Sequence, residues 1–217
     1  MTYVRKPPSL KPMQRALPPL KVRERSGDQT RRRLFETAIA EFCRVGVERA
    51  SIGRIAEAAG VSRPAFYFHF PTKDHVLLEL QWSYEEPIAT RVESAKSLDE
   101  AFSLLLDGLV EAVEALGHPD VFAEMVRIHT RHAASQALAE QPHYLMRAVA
   151  ARFVEAHRAG RLRAGMDPAT ATHLFLTSVF GYLSLPVDVE EARRDLRTLT
   201  SLYLTGDPDI DRKDPRR

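Results

Sequence analysis

Residues 55–73 read IAEAAGVSRPAFYFHFPTK, and this stretch decides the fold. Ser51 precedes Ile52, Ile55, Ala56 and Ala59, a short helix with an N-cap serine and a stop at Gly60. After Val61, Ser62 caps a second short helix, with Pro64 at an early position where its missing N–H costs nothing. Each residue class has a steric task in such a pair. Ala56 lets the second helix approach closely, Gly60 takes positive φ without Cβ strain, and Ile55 and Val61 tuck beneath the turn. The pattern predicts a helix-turn-helix whose second helix is presented outward. Packing hairpins of this kind also occur in helical proteins of other function, so the turn alone leaves both readings open. The run from Phe66 to Phe70 then sets polar groups between aromatics on a helix too short to be core throughout. Phe66, Phe68 and Phe70 themselves are expected to be core and to hold the short helix down.

Upstream, Leu34, Ala38, Phe42 and Val45 recur at four, four and three residues. That is one stripe of a helix over 28–45, ending at Gly46 and covering the turn through Ala38 and Phe42. Downstream, Pro71 breaks the aromatic run. Thr72 offers a cap, and Val76, Leu77, Leu80, Tyr84 and Ile88 mark a longer helix reaching the mid-90s. Ser97 with Glu100 forms a capping box before a helix carrying Phe102, Leu105, Leu106 and Leu109, closed by Gly117. Pro119 opens the next helix and Pro142 another, which ends near Gly160. Asp167 and Pro168 open a strongly apolar helix to Leu185, and Asp188 with Glu191 opens the last, running up to Gly206. The expectation is an all-α protein of about nine helices.

Composition agrees. The chain has 217 residues, with 27 Ala and 24 Leu against 6 Ile, which favours helix because unbranched side chains lose little rotamer freedom there. A single cysteine, Cys43, excludes a disulfide within the chain and suits a reducing cytoplasm, the expected location. The most apolar stretch, Leu174 to Val187, is interrupted by Thr177, Ser178, Gly181 and Ser184 and is too short for a membrane span. The N-terminus lacks the continuous apolar region of an export signal. The formal net charge of +2 hides a segregation: residues 1–33 carry +8 and the rest −6. Prolines 7, 8, 12, 18 and 19 prevent a continuous helix there. Residues 1–26 therefore read as a basic, disordered arm, directed at a polyanion or serving solubility alone. The remaining organisation is a helix-turn-helix unit over 27–75, a helical domain over 76–206 and a polar tail over 207–217.

Taken together, Ile55-Ala56, Ala59-Gly60-Val61-Ser62 and Phe66-Tyr67-Phe68-His69-Phe70-Pro71-Thr72-Lys73 resemble the DNA-binding domain of the TetR family of transcriptional regulators. The resemblance spans about Thr30 to Leu80 in detail and is architectural beyond. It implies a sequence-specific, homodimeric repressor, released from a palindromic operator by a small molecule. Carried over position by position, Arg63, Pro64 and Ala65 face base edges in the major groove. Arg63 is the main determinant, because its guanidinium fork bonds the O6 and N7 of a guanine together, whereas Pro64 and Ala65 offer only apolar contact to a thymine methyl. Tyr67, His69 and Lys73 correspond to phosphate contacts, which set register without reading sequence. Ser51, at a helix start, adds its hydroxyl and neighbouring N–H groups to a phosphate. The family often has a polar residue and then an acid where this chain has Gly53-Arg54. Arg54 is left with two readings, a phosphate contact or an ion pair with an acid such as Glu57.

The resemblance also implies that the later helices enclose an effector pocket and that the last two long helices, about 168–185 and 189–205, pair with their copies in a second subunit. Phe102, Leu105, Met125, His129, Tyr144, Met146, Phe153 and Phe175 mix large apolar groups with polar tips, as ligand cavities do. Leu174, Leu176, Val179, Phe180, Leu183, Leu196, Leu199 and Leu202 crowd the final helices with apolar surface that a four-helix dimer seam would bury. No cofactor and no membrane partner are expected, and there is no nucleotide loop, nucleophile elbow or HExxH. The rival readings are a helical enzyme, metal-dependent through His129, His132 and His157, and a sequence-indifferent DNA-compacting protein using its basic arm.

Overall fold

A computed structural model describes residues 26–131 and 143–205. Among these there are nine α-helices: α1 Ser26–Val45, α2 Ile52–Ala58, α3 Arg63–His69, α4 Lys73–Ser94, α5 Leu98–Leu116, α6 Pro119–Arg131, α7 Tyr144–Arg158, α8 Pro168–Leu183 and α9 Val189–Ser201. The only strand-like pairing in them is an isolated antiparallel bridge between Leu162 and Leu204. The all-α expectation holds. The expected arm and tail lie outside the described residues, save Ser26, which opens α1.

The capping chemistry sets the ends. The Oγ atoms of Ser51 and Ser62 accept from the Arg54 and Ala65 amides, at 3.5 and 3.4 Å. Gly60 takes φ +67°, its N–H donating to the Glu57 carbonyl while the Val61 N–H donates to that of Ala56, the paired bonds of a Schellman closure. The Ser97–Glu100 box forms in a shifted version: the Ser97 hydroxyl accepts from the Glu100 amide, and the Glu100 carboxylate accepts from the Lys96 amide. Asp167 and Asp188 each accept two amides of the helix that follows. Thr72 departs from its expected role. It occupies the N-cap position of α4, but its hydroxyl lies 2.9 Å from His75 Nδ1 and bonds no helix amide.

The long helix α4 lies at the centre, packed against α1 at one end and against α5, α6 and α7 along the rest. Its contact with α5 is close because Gly108 faces it; a Cβ there would stand 2.9 Å from Ile88 Cγ1. Pro87 lies inside α4, where it removes the amide that would bond the Ser83 carbonyl. The C-terminus of α4 is closed from a distance: Arg152 of α7 donates to the carbonyls of Val92, Glu93 and Ala95 at 2.7–3.1 Å. Beyond it, Phe102, Phe153, Phe175 and Tyr203 form a mutual aromatic cluster with ring centroids 5.1–6.0 Å apart.

Candidate nucleic-acid interface and effector cavity

The first three helices and the start of α4 surround a small core of Leu34, Phe35, Ala38, Phe42, Ile55, Phe66, Phe70 and Leu77, all buried. Against it α3 turns its N-terminal residues outward. Arg63 and Pro64 are exposed and Ala65 is half-buried. Gly53 brings α2 to the same surface, since a Cβ at that position would lie 3.5 Å from Ser51 Oγ and 3.9 Å from Arg63 Cδ. Ser51 and Arg63, predicted from separate helices, thus share one face. Tyr67 is 44% exposed, its ring edge-on to Phe66.

Phe68 corrects the sequence reading. It is 83% exposed, while Phe66 and Phe70 are fully buried. Residues four apart share a helix face, and one two positions on points nearly opposite, so a seven-residue helix cannot bury all three.

Two further groups hold α3 in place. Lys73, expected at a phosphate, donates its ammonium to the Val47 and Glu48 carbonyls at 2.8 and 3.1 Å, leaving one N–H uncommitted. Partial burial moves this ammonium below the usual lysine value. Arg31, which the sequence reading absorbed into the basic end, turns inward. It donates to the His69 carbonyl at 2.6 Å, pairs with Glu79 and lies 4.2 Å from the centre of the Phe70 ring. One guanidinium therefore ties α1 to the end of α3 and to α4. Burial, and then the Arg31 charge, lowers the pKa of His69, which favours a neutral ring. Arg54 pairs with Glu41 of α1 at 3.7 Å, not with Glu57. Nothing in the sequence separates Arg31 from its neighbours Arg32 and Arg33, because its partners lie 38 to 48 residues away.

The second half holds a cavity of about 470 Å³. Met125 and Met146 line it, and α4 contributes a wall of Gln81, Tyr84 and Glu85 that the sequence reading missed. Phe102, Leu105, Phe153 and Phe175 do not line it. All four are buried, and the three phenylalanines fill one another's space in the aromatic cluster. Tyr144 is half-buried outside the lining, and the side chain of His129 lies outside the described ones. His132 lies outside the described residues; among these, no three His, Cys, Asp or Glu side chains come together as a metal site. On the last two helices Leu174 and Leu202 face outward, whereas Leu176, Val179, Leu183 and Leu196 are buried in the chain's own core. The crowding of leucines in the sequence therefore serves two surfaces. No helix among the described residues is long and apolar enough to cross a membrane.

A family model described as bacterial regulatory proteins, tetR family, matches residues 34–80, from the middle of α1 into α4. The regulator AcrR of Shigella flexneri is 32% identical over 95 residues, which cover 42% of this chain and 44% of that one. A probable acrEF/envCD operon repressor of Escherichia coli is 44% identical over 52 residues, 24% of each chain. The chain thus spans less than half the length of these curated relatives. Solved structures agree over a longer span: FadR of Thermus thermophilus, described as a repressor in complex with lauroyl-CoA, aligns over 86% of this chain and 98% of its own with a TM-score of 0.60. SmeT of Stenotrophomonas maltophilia, a repressor of a multidrug efflux pump, aligns over 82% and 93% with a TM-score of 0.58. At 21% and 20% identity these two establish the shared fold. The match to the tetR family of bacterial regulatory proteins thus lies in the N-terminal helices, over residues 34–80.

Proposed function

We propose that the chain is a sequence-specific DNA-binding repressor of the cytoplasm, acting as a homodimer and released from a palindromic operator by a small molecule. The observation that carries this reading is the outward face of α3: Arg63 and Pro64 project from a helix whose opposite side is held by Phe66 and Phe70. In this reading Arg63, Pro64 and Ala65 meet base edges, while Ser51, Tyr67, His69 and the remaining Lys73 N–H meet phosphates. A neutral His69 serves as an N–H donor there. No catalytic role is assigned to any residue.

The exposed Leu174 and Leu202 support pairing through α8 and α9. Two recognition helices related by a two-fold axis then reach successive major grooves, about 34–36 Å apart. The release mechanism follows from α4. Its first turns pack against α1, and Lys73 at its start is tied to the α1–α2 loop, while its middle turns, through Gln81, Tyr84 and Glu85, wall the cavity. A molecule that fits the cavity only when α4 has shifted favours the shifted state and changes the separation of the two α3 helices; differential affinity for the two states is what drives the change.

The test is fluorescence anisotropy on the DNA upstream of the coding region, with a scrambled duplex as competitor at fixed salt. Wild type is expected to resist the competitor. Arg63→Ala is expected to lose about 1–3 kcal/mol of operator binding with no change in thermal stability. Equal competition by the scrambled duplex would favour the DNA-compacting reading.

A further inference from the structure

We infer that the cavity selects its ligand by charge, taking an apolar molecule that carries a protonated amine and seating that ammonium against Glu85. The inference rests on the proposed effector role of the cavity and names the chemistry of its ligand. The lining is apolar apart from a few groups, and among the described lining residues Glu85 is the only carboxylate and none is a lysine or arginine. Glu85 is 8% exposed, so its carboxylate has been taken out of water into a wall of Leu109, Met125, Met146 and Phe180. A buried acid needs a compensating group.

Two partial compensations are in place. The Gln81 amide donates to Oε1 at 2.5 Å, and the backbone N–H of Leu145 stands near enough to favour the charged form. The second contact has a structural use: α7 begins after His143 with no side-chain cap, and Glu85 sets an acceptor beside its first turn. Neither neighbour is a cation. A carboxylate offers about four acceptor positions, so two of them are left for a ligand. Burial raises the pKa of this carboxyl, which is the cost that an incoming ammonium would offset. Tyr84 stands one residue away on the same wall, its hydroxyl buried without a hydrogen-bond partner.

The cap and the charge are separable. Capping needs only an acceptor oxygen, which glutamine retains, whereas holding an ammonium in an apolar wall needs the negative charge. The experiment uses three probes of one shape, 1-adamantylamine, 1-adamantanol and adamantane-1-carboxylate, titrated into the full chain without DNA. Binding is read from the fluorescence of the single tryptophan, Trp82, beside the cavity wall on α4, and from the thermal shift. Wild type is expected to bind the amine about tenfold or more tightly than the alcohol, and the carboxylate most weakly. In Glu85→Gln the amine should fall to the level of the alcohol, while the alcohol keeps its wild-type affinity. Thr177→Lys, which adds a cation to the part of the lining supplied by α8, should weaken the amine selectively and so tests the inference even where Glu85→Gln disturbs α7. Equal affinity of wild type for amine and alcohol, or an amine preference that survives Glu85→Gln, would overturn it. A final arm adds operator DNA. Glu85-dependent amine binding that leaves operator affinity unchanged supports the charge selection and counts against the effector reading; release of DNA by the alcohol as readily as by the amine does the reverse.

Discussion

The two ends of α4 were built by different kinds of instruction. Around its start, the ends and inner face of α2 and α3 follow from residues within five positions of one another, namely serine caps, the Gly60 closure, Pro64 in the first turn and Phe66 with Phe70 on one face, with Arg31 and Lys73 adding longer ties. Around its end and middle, structure depends on partners far apart in the chain. Arg152 closes α4 from 57 to 60 residues away, and the cavity draws its lining from five helices. Short-range chemistry therefore shapes most of the N-terminal unit, while long-range packing shapes the cavity.

The largest effect expected sits in the N-terminal unit. Phe66→Ala empties a fully buried site and should cost about 3–5 kcal/mol, whereas Phe68→Ala, on the same helix, should stay within about 0.5 kcal/mol of wild type. Urea unfolding monitored by circular dichroism separates the two; a large loss for Phe68→Ala would restore the three-phenylalanine core. Next comes the distant clasp. Arg152→Met keeps the apolar stem but leaves three carbonyls without their donor, and a loss of about 2–3 kcal/mol is expected. A neutral outcome in the same assay would show that α4 needs no closure from α7. The smallest effect concerns His69. Its lowered pKa means that the folded chain favours the neutral ring, so its contribution is intact above the ordinary histidine value and is lost as pH falls through the lowered one. Stability should decline slightly more steeply between about pH 7 and 5 in wild type than in His69→Gln.

The same division explains what the sequence disclosed. Helix number, nearly all helix ends and the outward Arg63–Pro64 face were legible, because caps and apolar spacing are local signals. Phe68 was misread although the information was present: helical rotation places it opposite Phe66 and Phe70, and aromatic character was allowed to outweigh phase. Arg31 and the Glu85 wall were not legible at all. A guanidinium that turns inward and a glutamate that faces the start of a distant helix look like any surface charge until the fold brings α1, α4 and α7 together. Several residues of the expected pocket lie away from the cavity for a related reason. Large apolar residues in the sequence suggest a lining, but phenylalanines that pack on one another fill their own space, and Phe102, Phe153 and Phe175 are core.

The most direct test of the account is selection of duplexes from random DNA by the purified full chain, followed by sequencing of the bound pool. The account predicts enrichment of an inverted repeat, with half-sites about one helical turn or a multiple apart, and loss of one or more base preferences in the pool selected by Arg63→Ala. A wild-type pool without a two-fold motif, or one that Arg63→Ala leaves unchanged, would contradict it.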